Sequence, residues 1–371
     1  MMHSSTITWS GLDLEREYFR EEVDIAIRHV LDANEYIRGP KVADFEKRLS
    51  HYLDTKHVIG CGNGTDALQI ALMALELQLG DEVLIPAFGH GAAPEVVAHL
   101  GLTIKWVDVH EDTFLLNTNL IEEVLTNRSR VIIPIHLFGQ VCDMGRLNEL
   151  ASDHNIRVVE DTAQAIGALW KGQKAGAIGD VGTTSFFPTK NLGCYGDGGA
   201  VITSDDQLNT AMRSIANHGQ QEKYRHERIG LNSRLDSIQA AILSPKLKAL
   251  DELNIRRQHI ANQYRQELSH VKQLRLPKVN PGSTHVYHQY TVKVTPDDRS
   301  GLRSWLQAQG VPSMIYYPIP SHRQLAFGSG EQCCPIADLL CKEVMSLPIH
   351  PFLSEDEVGY ICLQIKRYFS S

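Results

Sequence analysis

The chain is predicted to be an α/β protein, with a large unit built on a mostly parallel sheet and a smaller C-terminal α/β unit. Three observations predict this. First, short β-branched runs recur through the first half: Val83-Leu84-Ile85, Ile104-Lys105-Trp106-Val107, Val131-Ile132-Ile133, Val158-Val159 and Thr183-Thr184-Ser185-Phe186-Phe187. Second, these runs begin about 20–27 residues apart with helix-like stretches such as 144–154 between them, the spacing of strand–helix crossover units. Third, beyond about residue 235 the pattern changes to one long helical region, 235–268, with a break expected at Pro245. A strand at Tyr290–Val294, a helix around 302–309 and the proline-rich "YYPIPSHRQ" follow it. The expected division is a large domain over 1–245 and a small one over 246–371.

The bulk composition narrows the function. The 371 residues carry 36 Lys plus Arg against 44 Asp plus Glu, a formal net charge of −8. No basic stripe stands out, which argues against a nucleic-acid partner. Seven cysteines are an odd number, and Cys333-Cys334 is the only close pair, so neither a disulfide framework nor a zinc site is expected. That usage reads as a reducing compartment. No apolar run is long enough to span a membrane, and the N-terminus lacks the basic-then-apolar pattern of a secretion signal, so a cytoplasmic location is expected.

Candidate chemistry sits where elements end, as in open parallel sheets. In "GCGNGTDALQIALMAL", residues 60–75, glycines give way abruptly to a periodic helix over 66–75. Gly64 and Thr65 there offer backbone N–H groups and a hydroxyl to an anion, most often a phosphate; the plain alternative is a threonine N-cap. In "VVEDTAQAIGA", residues 158–168, an apolar strand ends in two acids. Asp161 could bind a cofactor cation or be an ordinary solvated charge. In "SFFPTKNLGCYGDGGAV", Lys190 stands alone among aromatic and apolar neighbours. Desolvation lowers a lysine pKa and frees the amine to attack an aldehyde; the alternative is a snorkelling side chain with a buried stem. A phosphate cradle, an acid and a buried lysine together match the needs of pyridoxal phosphate.

The motifs "GNGTDAL", "VEDTAQAIGA", "SFFPTKNLGCYGDGGA", "IGLNSRLDSIQAAIL", "YYPIPSHRQ" and "SLPIHPFL" occur in that order. With them the chain resembles the DegT/DnrJ/EryC1/StrS sugar aminotransferases, fold-type I pyridoxal-phosphate enzymes, from about Gly11 to Tyr368. The resemblance implies an aspartate-aminotransferase-like fold: a large domain with a mostly parallel seven-stranded sheet and a smaller C-terminal α/β domain. It also implies an enzyme that moves an amino group from L-glutamate to a nucleotide-linked keto sugar for lipopolysaccharide, O-antigen or another surface glycan. The motifs around Lys190 and Asn232 resemble most the branch acting on UDP-linked 2-acetamido-3-keto-hexuronic acids at C3.

Roles follow from the resemblance residue by residue. Lys190 would carry the cofactor and then move protons, and Asp161 would pair with the pyridine nitrogen. Gln164 would contact the phenolic-oxygen side. Gly64, Thr65 and Ser185 would hold the phosphate, with Asn232 reaching it from the other subunit of a homodimer. Arg234, also from the partner, would take a substrate anion, since a guanidinium suits a carboxylate. Gly193, Gly196, Gly198 and Gly199 are expected to permit positive φ and close approach around the lysine.

The loop "PAFGHGAAPE" departs from the family pattern. Gly89 and Ala93 stand where threonines are common, and His90 stands where an aromatic ring often stacks on the cofactor. Tyr316, beside Tyr317, stands where related enzymes often have histidine near the sugar. His322 is a candidate nucleotide contact, and His136 reads as structural. These departures keep an aminotransferase for a neutral dTDP- or UDP-linked deoxy keto sugar in play. A sugar dehydratase or a non-enzymatic cofactor-binding regulator fits less well, because Lys190 is present, the cysteines are unclustered and no DNA-binding module is visible.

Overall fold

The computed structural model describes residues 7–327 and 332–370. Part of the N-terminal stretch read for a secretion signal therefore lies outside the described residues.

Seven strands form the main sheet: β1 His57–Cys61, β2 Glu82–Pro86, β3 Thr103–Val107, β4 Ser129–Ile132, β5 Arg157–Asp161, β6 Val181–Ser185 and β7 Gly199–Thr203. Their order is β1–β7–β6–β5–β4–β2–β3, and only β7 runs antiparallel to its neighbours. Strands β2 and β7 are buried along their whole length, as expected where helices cover a sheet. Intervening helices such as Gly64–Ala74, Ala92–His99 and Met144–His154 supply apolar faces, among them Leu68, Leu72, Val97 and Leu147, to one continuous core.

Each of the five runs read from the sequence meets a strand of this sheet, with Ile133 and Phe186-Phe187 lying beyond the ends of β4 and β6. The other two strands, β1 ("HVIGC") and β7 ("GAVIT"), are short and glycine-bearing, and β7 begins at Gly199, the last of the glycines after Lys190. Both are held by ladder bonds: Cys61 and Ser185 are each register partners of Gly199.

The helix Ser237–Leu268 runs without interruption for 32 residues, about 48 Å at the usual rise. The break expected at Pro245 is not there. Proline removes the bond to the carbonyl of Ala241 and crowds that carbonyl, but burial of Leu243, Leu247 and Leu250 on the same helix holds the run together. The division expected at residue 245 thus falls inside a continuous helix. Its C-terminal half, with Tyr264 and Leu268, enters a second core under a three-stranded antiparallel sheet: β8 Leu274–Arg275, β9 Tyr290–Val294 and β10 Val344–Leu347. Helices Pro296–Ala308 and Glu355–Ser370 complete that core through Leu302, Leu306, Ile361 and Ile365.

Among the described residues, no helix is long and apolar enough to cross a membrane and no group of His, Cys, Asp and Glu is placed to hold a metal ion. All seven cysteines are free, and only Cys333 is exposed.

Candidate active site

A cavity of about 620 Å³ opens where β5 and β6 end and where the helix following β1 begins. Its wall contains Gly64, Thr65 and Ser185 at one part, and Asp161, Gln164 and Lys190 at another. His90, Tyr316 and Tyr317 also line it. Nine of the twelve residues read as catalytic or as cofactor or substrate contacts, all but Asn232, Arg234 and His322, therefore meet in one place.

The helix start is built for an anion. Asn63 is the N-cap, not Thr65: its Oδ1 accepts from Asp66 N at 2.8 Å, and its carbonyl accepts from Ala67 N at 3.1 Å. Gly64 and Thr65 become the first two helical residues, whose N–H groups have no intrahelical acceptor. Glycine is required at 64, since a Cβ there would lie 2.7 Å from Ser185 Cβ. The absence of a side chain at Gly64 lets the Ser185 side chain pack against the helix start. Thr184 Oγ1, on the same strand and lining the cavity, is buried without a protein partner. Donors and hydroxyls gathered at a helix N-terminus suit a phosphate.

The two acids ending β5 have opposite fates, because successive strand residues point to opposite faces. Glu160 is fully buried away from the cavity. It accepts from Gly176 N, Ile178 N and Gly179 N at 2.7–2.9 Å and pairs with His136 Nε2 at 2.9 Å. His136 is structural, as the sequence indicated. Asp161 lines the cavity, 7% exposed, and its Oδ1 accepts from Ala163 N at 3.0 Å. Gln164 is fixed at both ends of its amide: Oε1 accepts from Phe138 N at 2.7 Å and Nε2 donates to Tyr317 Oη at 3.1 Å. One Nε2 hydrogen remains for a ligand. Burial raises the Tyr317 phenol pKa, so Tyr317 stays neutral and keeps its hydroxyl proton.

Lys190 projects from a turn closed by its own N–H to the Phe187 carbonyl at 2.8 Å. Desolvation pulls its pKa down to about 8, against the opposing field of Asp161. Desolvation and then the Lys190 charge push the His90 pKa down as well, so His90 is a neutral imidazole whose Nδ1 accepts from Ala92 N at 3.2 Å.

The glycines after Lys190 serve close approach rather than positive φ. Of the four, only Gly196 has a positive φ, at 157°, which is nearly extended. A Cβ at Gly193 would fall 2.3 Å from the Pro188 carbonyl oxygen, and one at Gly199 would fall 2.4 Å from that of Asn63. The bare Gly199 lets β7 lie close against the helix start that carries Gly64.

Three expected residues lie outside the cavity. Asn232 is exposed and Arg234 half-buried on the segment before the long helix, where Arg234 Nη1 donates to Asn217 Oδ1 at 3.4 Å. Arg234 lines a separate hollow of about 170 Å³ together with Arg38 and Arg213. His322 is 2% exposed; its Nε2 lies 3.4 Å from Asp338 Oδ1 and its ring meets Trp106 edge-on at 6.5 Å. Neither a solvated histidine nor a cavity-lining one describes it.

Sequence reading missed Thr183, His288 and Gln289 in the wall. The last two immediately precede β9, at its amino end in an antiparallel sheet, where the carboxyl-end rule of parallel sheets does not reach. Of the described lining residues, Lys190 is the only lysine or arginine, against Asp66, Glu95, Asp161 and Asp197.

A strand-end carboxylate, a lysine held toward its neutral form and an anion-receiving helix start with an orphan hydroxyl fit pyridoxal phosphate, so fold and site define an enzyme of the pyridoxal-phosphate class. The model of the DegT/DnrJ/EryC1/StrS aminotransferase family matches residues 17–366. A UDP-2-acetamido-2-deoxy-3-oxo-D-glucuronate aminotransferase of Pseudomonas aeruginosa is 43% identical over 95% of this chain and 98% of its own. A UDP-N-acetyl-3-dehydro-alpha-D-glucosamine 3-aminotransferase of Acidithiobacillus ferrooxidans is 41% identical over 94% of each chain. A dTDP-3-amino-3,4,6-trideoxy-alpha-D-glucose transaminase of Streptomyces venezuelae is 41% identical over 93% of this chain and 92% of its own. The solved NtdA of Bacillus subtilis, with bound cofactor PMP, superposes with a TM-score of 0.92 at 29% identity, covering all of this chain and 87% of that one. The chain belongs to the DegT/DnrJ/EryC1/StrS aminotransferase family and is a pyridoxal-phosphate-dependent aminotransferase of sugar nucleotides.

Proposed function

We propose that the enzyme transfers an amino group from L-glutamate to C3 of a UDP-linked 2-acetamido-3-keto-hexuronic acid. We place it in the cytoplasm, in the synthesis of a surface glycan such as a lipopolysaccharide O-antigen. The observation that carries the chemistry is the single cavity that gathers Lys190, Asp161, Gln164 and the Gly64–Thr65 helix start. In this reading Gly64, Thr65 and Ser185 hold the cofactor phosphate, Asp161 holds the ring nitrogen, Gln164 the phenolic oxygen, and His90 covers the ring. Pyridoxal phosphate, when bound, carries the amino group between the two substrates and takes up the electron pair released at the substrate carbon. Lys190 Nζ, held toward its neutral form, would bond the cofactor's aldehyde carbon, be released when the substrate amine displaces it, and then move a proton between the substrate carbon and the cofactor. The Asp161 carboxylate keeps a proton on the ring nitrogen.

The proposal includes a homodimer with shared sites. Two anionic substrates and a phosphate must enter a wall whose only lysine or arginine, among the described residues, is Lys190. Further cations must come from elsewhere, and Arg234, outside the cavity of its own chain, is available to a neighbouring one. Asn232 would reach the phosphate in the same way. An inactive Lys190→Ala chain mixed with an inactive Arg234→Ala chain should recover part of the activity, since one of the two sites in the mixed dimer has both residues intact. Absence of recovery despite demonstrated subunit exchange would count against sites shared in trans.

Similarity to the P. aeruginosa enzyme and the availability of Arg234 support the uronic acid. Tyr316, a hydroxyl where relatives often carry an imidazole, favours a neutral sugar, and the A. ferrooxidans and S. venezuelae relatives are named for such sugars. The two readings differ in electrostatics. If Arg234 grips a C6 carboxylate, replacing it by hydroxymethyl leaves a buried cation unpaired, at a cost of about 3–5 kcal/mol, or roughly two to four powers of ten in kcat/KM. The comparison is kcat/KM for the uronic acid and its 6-hydroxymethyl counterpart with saturating glutamate. Equal values, or preference for the neutral sugar, defeat the uronic-acid assignment. His322, buried beside Asp338, does not line the cavity, whereas Tyr317 and Gln164 do and are the better candidates for substrate contacts.

A further inference from the structure

We infer that Asn254, on the long helix and outside the cavity, is a positioning residue for Lys190. The inference rests on Lys190 being the reactive amine, which the Lys190→Ala variant tests separately.

Asn191 follows Lys190 directly and is 8% exposed. Its Nδ2 donates to Asn254 Oδ1 at 2.7 Å and to the Val286 carbonyl at 3.0 Å, while its Oδ1 is buried with no protein partner. Both amide hydrogens are thereby engaged, and rotating the side chain would strand a buried donor. Asn254 is 4% exposed, and its own Nδ2 donates to the Ile166 carbonyl at 3.3 Å. Its orientation is fixed by chemistry: turning the amide over would set NH₂ against NH₂ at Asn191 and oxygen against oxygen at Ile166.

The Asn191–Asn254 amide pair therefore ties three cavity walls together: through Asn254 the segment continuing from Asp161 and Gln164, through Asn191 itself the turn carrying Lys190, and through its second bond the segment leading into His288 and Gln289. Gly167 makes the approach possible. It has φ +87°, and a Cβ there would lie 2.6 Å from Asn254 Nδ2 and 2.7 Å from Tyr52 Oη. Asn254 does not line the cavity, so its effect on the reaction passes through Asn191 to the backbone of Lys190. Proton transfer by Nζ demands placement to within a fraction of an ångström, and misplacement by about 1 Å can cost on the order of 100-fold in rate.

The test uses the cofactor-loaded enzyme. Asn254→Leu keeps the size and removes both bonds; Asn254→Asp keeps the acceptor for Asn191. For Asn254→Leu, kcat is expected to fall about 10- to 100-fold with KM for both substrates within about threefold, the pattern of a group misplaced for the chemical step. The pH midpoint of the absorbance change of the lysine-bound cofactor should move by about half a unit or more, because the solvation and field that set the pKa depend on where Nζ sits. Asn254→Asp restores the acceptor for Asn191 and should recover part of the rate that Asn254→Leu loses, but not the parental midpoint, because it adds a buried carboxylate close to the Lys190 turn and loses the bond to Ile166. Should Asn254→Leu fail to fold, Asn254→Ser, one bond too short to reach Asn191, carries the same expectation. A lower Tm with unchanged kcat and unchanged midpoint, or a loss confined to KM, overturns the inference and leaves Asn254 as a packing residue.

Discussion

Lys190→Ala is expected to abolish transamination, with a loss of roughly four powers of ten or more, while the fold is retained. The magnitude follows from the roles: a general acid–base group alone is worth about 10²–10⁴-fold, and here the same nitrogen also anchors the cofactor. The fold should survive because Lys190 lies on a cavity wall and its turn is closed by backbone bonds and by Asn191. A companion result concerns pH. The attacking form is the neutral amine, and burial lowers its pKa from 10.5 to about 8. Covalent attachment of pyridoxal phosphate to cofactor-free wild-type protein should therefore speed up with rising pH and level off above about 8. At pH 7.5 roughly a quarter of the amine would be neutral, against about a thousandth for an ordinary lysine. Stopped-flow absorbance measures it. A rate still climbing steeply at pH 9.5 would show that the site does not depress this lysine.

Asp161→Asn is expected to lower kcat by about 10²–10³-fold with little change in fold. The substitution preserves shape and can preserve the Oδ1 acceptor for Ala163 N. It removes the negative charge that keeps a proton on the ring nitrogen. A hydrogen bond to a charged group is worth about 1.5–3 kcal/mol in the ground state, and the rate effect exceeds that because charge builds up on the ring as the substrate carbon loses its proton. The paired substitution Glu160→Gln separates the two acids of the motif. Glu160 accepts three backbone bonds and pairs with His136 away from the cavity, so its loss should lower Tm more than kcat. Near-parental kcat in Asp161→Asn would defeat the electron-sink role.

Strand positions were legible from the sequence where β-branched residues cluster, and β9 was read with its observed ends, Tyr290–Val294. Strands β1 and β7 were not legible because glycines, placed for close approach of backbones, dilute the β pattern. The helix across Pro245 was misread because local propensity counts one lost hydrogen bond, whereas burial of the helix along both cores decides the outcome. At the site, Lys190 and Asp161 stood out as chemistry in odd surroundings. The true cap, Asn63, and the division of labour between Glu160 and Asp161 required knowing which way each side chain faces. His288 and the Asn191–Asn254 pair were beyond reach, because nothing in their spacing announces that distant segments meet there.

The central claim is that Lys190 is the residue to which the cofactor bonds. Borohydride reduction of the wild-type enzyme loaded with pyridoxal phosphate, followed by proteolysis and peptide mass mapping, tests it most directly. The account predicts one stoichiometric reduced pyridoxyl group, on the peptide containing Lys190. A pyridoxyl group found on another lysine, or none on Lys190 in a protein that transaminates, would contradict it.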